Sequence, residues 1–329
     1  MTELLTAKVL DPVLLNDWHV VAKSTDLEED KLLSSRVLEE DIVIWRSCGK
    51  VLAWQDLCLH RGSKLSLGRV ESQELVCAYH GWTYDTNGTC IRIPAHPAQL
   101  PPSKVQVRKF TAREKYGFVW VCLGSPTTEI GSFPEWNEST YRKIFCGPYL
   151  AKASAPRLVE NFLDVAHLPF VHEGLLGDRN HAEINDYEVV TNSDGITASN
   201  IKIWQPNPDG TGIGAPVVYT YKVLRPLTAY FTKVSSGQGF AIFMSVTPVN
   251  QTQSAMWMII AMNYSDETPD YQIREFEDRV VSQDMKIVES QRPELLPLDL
   301  QAELHLRSDK TAIAYRKWLS DVGLSFGTA

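Results

Sequence analysis

Residues 58–82 read CLHRGSKLSLGRVESQELVCAYHGW, and the fold of the chain turns on this stretch. Cys58 and His60 form a Cys-x-His pair, and Cys77 and His80 form a Cys-x-x-His pair. Two thiolates and two imidazoles at such spacing make a metal site. A four-coordinate zinc accepts this set directly. A two-iron, two-sulfide cluster accepts it differently, with both Cys on one iron and both His on the other. The four ligands alone leave both open.

The flanking residues read as β-structure. DIVIWR (41–46), SCGK (47–50) and VLAWQD (51–56) predict a hairpin about a Gly-containing turn, and LVCAYHGWTYDTNGTCIRIP (75–94) predicts a second about Asn87-Gly88. GFVWVCLG (117–124) reads as a strand buried on both faces. Each ligand pair therefore falls on a loop between strands. SPTTEIGSFPEWNEST (125–140) has the composition of a linker, which suggests two domains, 1–148 and 149–329. Beyond it, 157–174 reads as a helix disturbed at Pro169. Six strand-like segments then occupy 187–264, and an amphipathic helix spans 269–291. The predicted class is α+β: an all-β amino-terminal domain, then an antiparallel sheet gripped by a long carboxy-terminal helix.

Composition narrows the function. The net charge of −8 over 329 residues argues against nucleic acid as partner. No window offers the ~20 continuous apolar residues of a membrane span. MTELLTAKVLDP lacks the features of a secretory signal, so the expected location is the cytoplasm. All six cysteines lie within the first 146 residues, and Cys48, Cys90, Cys122 and Cys146 read as ordinary thiols.

A second constellation lies in ENFLDVAHLPFVH (160–172). Asp164 and His167 are spaced to share a helix face, and a break at Pro169 would bring His172 round to join them. One such histidine is commonly structural; two beside a carboxylate suggest a metal pair. A 2-His-1-carboxylate triad holds non-haem Fe(II) with positions left open. At ~100° per residue, the apolar stripe of the late helix holds Ile273, Phe276, Val280, Ile287 and Val288, with Asp284 near its middle. Glu277 lies slightly further off-centre and competes for the role of ligand, while Asp278 and Glu289 fall toward the polar side. A buried salt bridge is the alternative reading of Asp284.

Together the two patterns resemble the Rieske non-haem iron oxygenases. Cys58, His60, Cys77 and His80, with Arg61-Gly62 and Gly81-Trp82 beside them, match one signature of the family; Glu160 to His172 match the other in full. The resemblance implies a 2Fe–2S cluster held by Cys58, Cys77, His60 and His80, and one mononuclear Fe(II) held by His167, His172 and Asp284. It places Asn161 and Asp164 among the catalytic residues, with Asp164 bridging His167 and a neighbouring subunit's cluster histidine, here His80. It further implies a head-to-tail homotrimer, O₂ and a small organic substrate, and electrons from a separate ferredoxin or reductase.

The spacing is similar to that of the monooxygenase and O-demethylase branch of vanillate and dicamba type. IPAHP (93–97), GDRN (177–180) and SDKTAIAYRKWLSDVGLSFG (308–327) resemble cyanobacterial oxygenases of saxitoxin-type alkaloid pathways, which hydroxylate a guanidinium alkaloid. Two alternatives stand beside this. A zinc-stabilised, non-catalytic module for binding small molecules would leave the second constellation unexplained. A Rieske electron-transfer protein would need no facial triad. DGTGIGA (209–215) approaches a dinucleotide-binding pattern, but Pro216 follows where a helix should run, so it reads as a loop.

Overall fold

Short strands joined by tight turns build the first unit, which ends at Ile130. The computed structural model describes residues 11–99, 101–102, 105–235 and 237–329; most of the stretch read for a signal lies outside these. A one-turn helix α1 (Pro12–Leu15) is capped by the Asp11 side chain, which accepts from the Val13 and Leu14 amides. Strands β1 (His19–Lys23) and β2 (Leu32–Val37) lead to the predicted hairpin, β3 (Glu40–Ser47) and β4 (Lys50–Gln55). Cys48 and Gly49 turn it with φ of 51° and 73°. Positive φ at both positions is the type I′ geometry that matches strand twist.

Four short strands follow: β5 (Arg69–Glu71), β6 (Glu74–Val76), β7 (Thr83–Tyr84) and β8 (Cys90–Arg92). They form one sheet in chain order. Strands β9 (Lys109–Lys115) and β10 (Phe118–Cys122) complete the larger sheet, ordered β1-β10-β9-β4-β3-β2. Every residue of β10 is buried, as its unbroken apolar run predicts. Val43, Trp45 and Trp54 of the larger sheet and Leu75 and Tyr84 of the smaller share a core with Cys58 and Cys77.

The second unit begins at Gly131, so the division precedes the expected 148/149 boundary. The reason is β11 (Arg142–Ala151), which pairs with a strand more than a hundred positions later. Its sequence conceals it, because Gly147-Pro148 reads as a breaker. The pairing register shifts between Cys146 and Tyr149, and β11 lies at the sheet edge, where proline is tolerated.

Helix α2 (Ala155–Leu163) ends at Asp164, whose φ and ψ of −81° and 130° are extended. A one-turn helix α3 (Leu168–Val171) follows with Pro169 in its first turn. Proline thus starts a helix here rather than bending one. Asp164 and His167 consequently do not share a continuous helix face.

The six predicted strands appear as β12 (Glu188–Asn192), β13 (Gly195–Gln205), β14 (Ala215–Arg225), β15 (Thr228–Ser235), β16 (Gln238–Asn250) and β17 (Gln253–Met262). With β11 they form an antiparallel sheet ordered β11-β17-β16-β15-β14-β13-β12. Helix α4 (Asp270–Val288) packs against β11 and touches α2, which lies over β15–β17. Helix α5 (Lys310–Val322) packs against β12, β13 and α2. The class is α+β, as predicted. DGTGIGA connects β13 to β14, with the Gly212 amide donating to the Asn207 side chain.

Two candidate metal centres

The two ligand loops of the first unit are built alike. The Gly62 amide donates to the Cys58 carbonyl at 2.9 Å, and the Gly81 amide donates to the Cys77 carbonyl at 3.0 Å. Each cysteine amide in turn donates five residues ahead, Cys58 to Ser63 and Cys77 to Trp82. The glycines make this possible, with φ of 71° at Gly62 and 68° at Gly81, where other residues would be strained.

Each loop holds its cysteine in the core and its histidine outward. Cys58 and Cys77 are each 2% exposed, His60 is half-buried and His80 is exposed. The imidazoles face each other with centroids 4.4 Å apart, and His60 stacks on Trp82. Burial pushes the Cys58 thiol up, Tyr84 pulls it down, and Cys77 beside it pushes it up again. The Tyr84 hydroxyl lies 3.3 Å from Cys58 Sγ and accepts the Leu59 amide, which leaves its own proton for the sulfur. Sequence reasoning missed this phenol, because a tyrosine in a strand carries no ligand signal. Burial, His80 and Arg61 hold His60 below the usual imidazole range, which favours the neutral, metal-binding form.

In the second unit, three donors converge. His167 Nε2 and His172 Nε2 lie 3.2 Å apart, and Asp284 Oδ1 lies 3.3 Å from the first and 3.0 Å from the second. Neighbouring ligands of an octahedral ion with bonds near 2.1 Å would stand about 3 Å apart. The turn between α2 and α3 brings the histidines together, and α4 supplies the carboxylate. The outer nitrogens are oriented too. His172 Nδ1 is 2.8 Å from Gln283 Oε1, and His167 Nδ1 is 3.3 Å from Asp164 Oδ2. Asp164 Oδ1 accepts the Ala166 amide at 2.8 Å.

Electrostatics favour a cation here. Burial pulls His167 down, but Asp164 and Asp284 outweigh it and push it up to about 9. Burial pushes Asp284 up, while the two histidines prevail and hold it below the usual range. Of the other acids weighed in the sequence, Asp278 on α4 accepts from the Tyr149 hydroxyl, and Glu289, which caps its end, from the Lys152 amide. Glu277 is not drawn into the triad.

Beside the triad lies a chamber of about 80 Å³. Asn161 and Asp164 line it with Phe162, Tyr219, Tyr221 and Phe231. It adjoins an outer chamber of about 350 Å³, with Tyr219, Phe231, Leu176 and Ile242 lining both. Asn207, Pro208 and Gly210 place the β13–β14 loop at the wall of the outer chamber. Of the aromatics singled out in the sequence, Tyr221 and Phe231 face the inner chamber and Phe240 the outer; Trp204 instead stacks on His181.

The donor sets fit the groups that the sequence implies. His60 Nδ1 and Asp284 Oδ1 are buried without a hydrogen bond, a costly state unless something binds there. Among the described residues, the one set of three donors within 4.8 Å is His167, His172 and Asp284. No three of the four donors at 58–80 converge in that way. A single zinc would require them to, whereas a cluster separates the thiolates from the imidazoles by its own atoms.

Comparison with known proteins agrees. Residues 17–111 match the Rieske [2Fe-2S] domain, and 151–323 match the Vanillate O-demethylase oxygenase C-terminal domain. Methylxanthine N1-demethylase NdmA of Pseudomonas putida is 33% identical over 317 residues, 93% of this chain and 88% of that protein. The chain is a Rieske non-haem iron oxygenase. The vanillate O-demethylase oxygenase subunit of a Pseudomonas strain is 26% identical over 85% of this oxygenase and 93% of its own length. The solved structure of Pseudomonas putida CBB5 NdmA matches with a TM-score of 0.82 at 32% identity, covering 94% of this oxygenase and 91% of that chain. This oxygenase thus joins a Rieske 2Fe–2S domain to an oxygenase domain of the kind that binds mononuclear iron, and its electrons come from a separate partner. No helix among the described residues is long and apolar enough to cross a membrane.

Proposed function

We propose that this oxygenase hydroxylates or oxidatively demethylates a small nitrogenous molecule in the cytoplasm, with electrons from a ferredoxin or its reductase. Cys58, Cys77, His60 and His80 would hold the cluster, and His167, His172 and Asp284 the iron. When bound, these centres supply electron relay and O₂ activation. The protein's own part is to orient the imidazoles through Asp164 and Gln283, to wall the substrate in apolar side chains, and to keep bulk water out. Hydroxylation consumes O₂, two electrons and two protons and releases one water. At an N- or O-methyl carbon, the resulting hydroxymethyl group leaves as formaldehyde. The observation that bears this reading is the convergence of three donor atoms at 3.0–3.3 Å beside an apolar chamber.

The finer reading is a guanidinium-alkaloid-type substrate. IPAHP, GDRN and the carboxy-terminal stretch support it, and a relative named for methylxanthines favours nitrogen-rich compounds over acids. For assembly we propose the head-to-tail homotrimer, with Asp164 linking His167 to a neighbour's His80. Asp164 is 38% exposed in its side chain, so it can reach outward. Exposed apolar side chains stand near both centres: Leu59, Leu67 and Tyr79 in one unit, Phe170, Leu304 and Leu306 in the other.

Anaerobically purified protein tests the core reading by EPR and by metal and sulfide analysis. The expected result is a low-average-g signal on reduction, with about three irons and two sulfides per chain. Turnover with a ferredoxin system and assay of formaldehyde then separates demethylation from hydroxylation. A colourless protein with one zinc would overturn the proposal.

A further inference from the structure

Glu277 belongs to neither metal centre. It is 7% exposed, lines the inner chamber, and makes no hydrogen bond or ion pair among the described residues. Tyr221 shares this condition: it is 4% exposed, lines the same chamber, and its hydroxyl has no hydrogen-bond partner among the described residues. Neither group's oxygens are sealed from the chamber, so a molecule that enters can pair with them, and one that cannot loses those hydrogen bonds.

Their placement says what should enter. Glu277 precedes Asp284 by seven residues, close to two helical turns, so both face the chamber about 10 Å apart along α4. A small molecule reaching Glu277 can therefore present its other end to the metal-binding triad. The acids Asp164, Glu277 and Asp284 line this chamber, and no Lys or Arg does among the described residues. The nearby cation, Lys233, lines the outer chamber and donates to Gln205 Oε1 and the Pro208 carbonyl. The faces of Tyr219, Tyr221 and Phe231 supply further negative potential.

We propose that Glu277 is the specificity-determining residue of this oxygenase, and that it recognises a basic nitrogen on the substrate: an amine, amidine or guanidine cation. This rests on the oxygenase reading and selects among its substrates, since a carboxylate placed at the same end would face the Glu277 carboxyl with no Lys or Arg of the chamber to offset it. Burial, with Asp284 and Asp278, holds the empty-handed Glu277 carboxyl up to about 8, while Lys233 opposes them. An incoming cation favours its ionised form.

The test uses iron-loaded, cluster-replete protein and three planar probes of one shape: benzamidine, benzamide and benzoate. Calorimetric titration should show benzamidine binding at least about tenfold tighter than either other probe. Glu277→Gln should abolish that preference with iron content unchanged. Benzamidine binding no tighter than benzoate, no benzamidine binding at millimolar concentration, or an unchanged preference in Glu277→Gln would each overturn the proposal. A Glu277 that merely balances Lys233 would show itself in that last result. Binding is read without turnover, so the two readings fail separately. A protein that prefers benzamidine through Glu277 yet oxidises nothing refutes the oxygenase reading; an active oxygenase without the preference refutes this one.

Discussion

Tyr84 shows how a single side chain can tune an electron carrier. Its hydroxyl accepts the Leu59 amide and has one proton left for Cys58 Sγ. A hydrogen bond to a cluster sulfur stabilises the more negative, reduced state. Tyr84→Phe should therefore lower the reduction potential. One hydrogen bond contributes about 1 kcal/mol, or roughly 45 mV for one electron. Spectroelectrochemical titration measures the shift, and an unchanged potential would show the phenol to be structural. Glu277 offers a second test at this scale. Its folded value of about 8 lies above the ordinary 4.5. Between those values the folded chain keeps a proton that the unfolded chain has released, so stability falls as pH rises through the window, and the loss is complete above it. Glu277→Gln removes this penalty. The two proteins should melt alike near about pH 4, and the variant higher by about 5 °C or more near pH 9. The convergence of His167, His172 and Asp284 was legible because ligand chemistry restricts residue type and spacing. Tyr84 and the lone condition of Glu277 were not, because each depends on partners distant in sequence.

At the scale of elements, sequence spacing named residues that do converge, but for a partly wrong reason. Asp164 and His167 do meet, but across the end of α2 rather than along one helix face, and Pro169 opens α3. Residue spacing cannot show whether a break falls before or after such a pair. The short α3 needs outside support, and Gly177 of the GDRN stretch supplies it. A Cβ there would lie 2.6 Å from Pro169 N and 2.7 Å from the Leu168 carbonyl carbon. Gly177→Ala should push α3 away, so iron per chain should fall while the visible spectrum of the cluster persists. Retained iron would show that α3 can yield without disturbing its histidines. Glu160, read as part of a catalytic signature, turns out to tie α2 to α5. Its carboxylate accepts from Arg316 Nε at 2.5 Å and Nη2 at 2.7 Å, and Glu303 joins Arg316 and Arg157. Arg316→Met leaves the Glu160 carboxylate only the longer Arg157 contact at 3.7 Å and should lower unfolding stability by about 3 kcal/mol, which urea titration reports.

The whole molecule was legible in its order of domains and in its class, because strand alternation and the late amphipathic helix are local patterns. Its dividing point was not, since β11 is recognised only by pairing with β17. Assembly is the step furthest from the chain itself, and it can be decided by mixing. Cys58→Ser should leave a subunit with iron and no cluster, and Asp284→Ala a subunit with a cluster and no mononuclear iron. Each alone should be inactive. If every cluster serves the iron of the next subunit in a ring, trimers assembled from both variants restore working pairs. Each pair needs an Asp284→Ala subunit followed by a Cys58→Ser subunit, so random mixing should recover about a quarter of wild-type turnover. If electrons instead pass within one chain, no mixture contains an intact chain and activity stays at background. Light scattering on the same sample fixes the number of chains. A trimer that shows no recovery would keep the assembly but remove the role of Asp164 as the link between subunits.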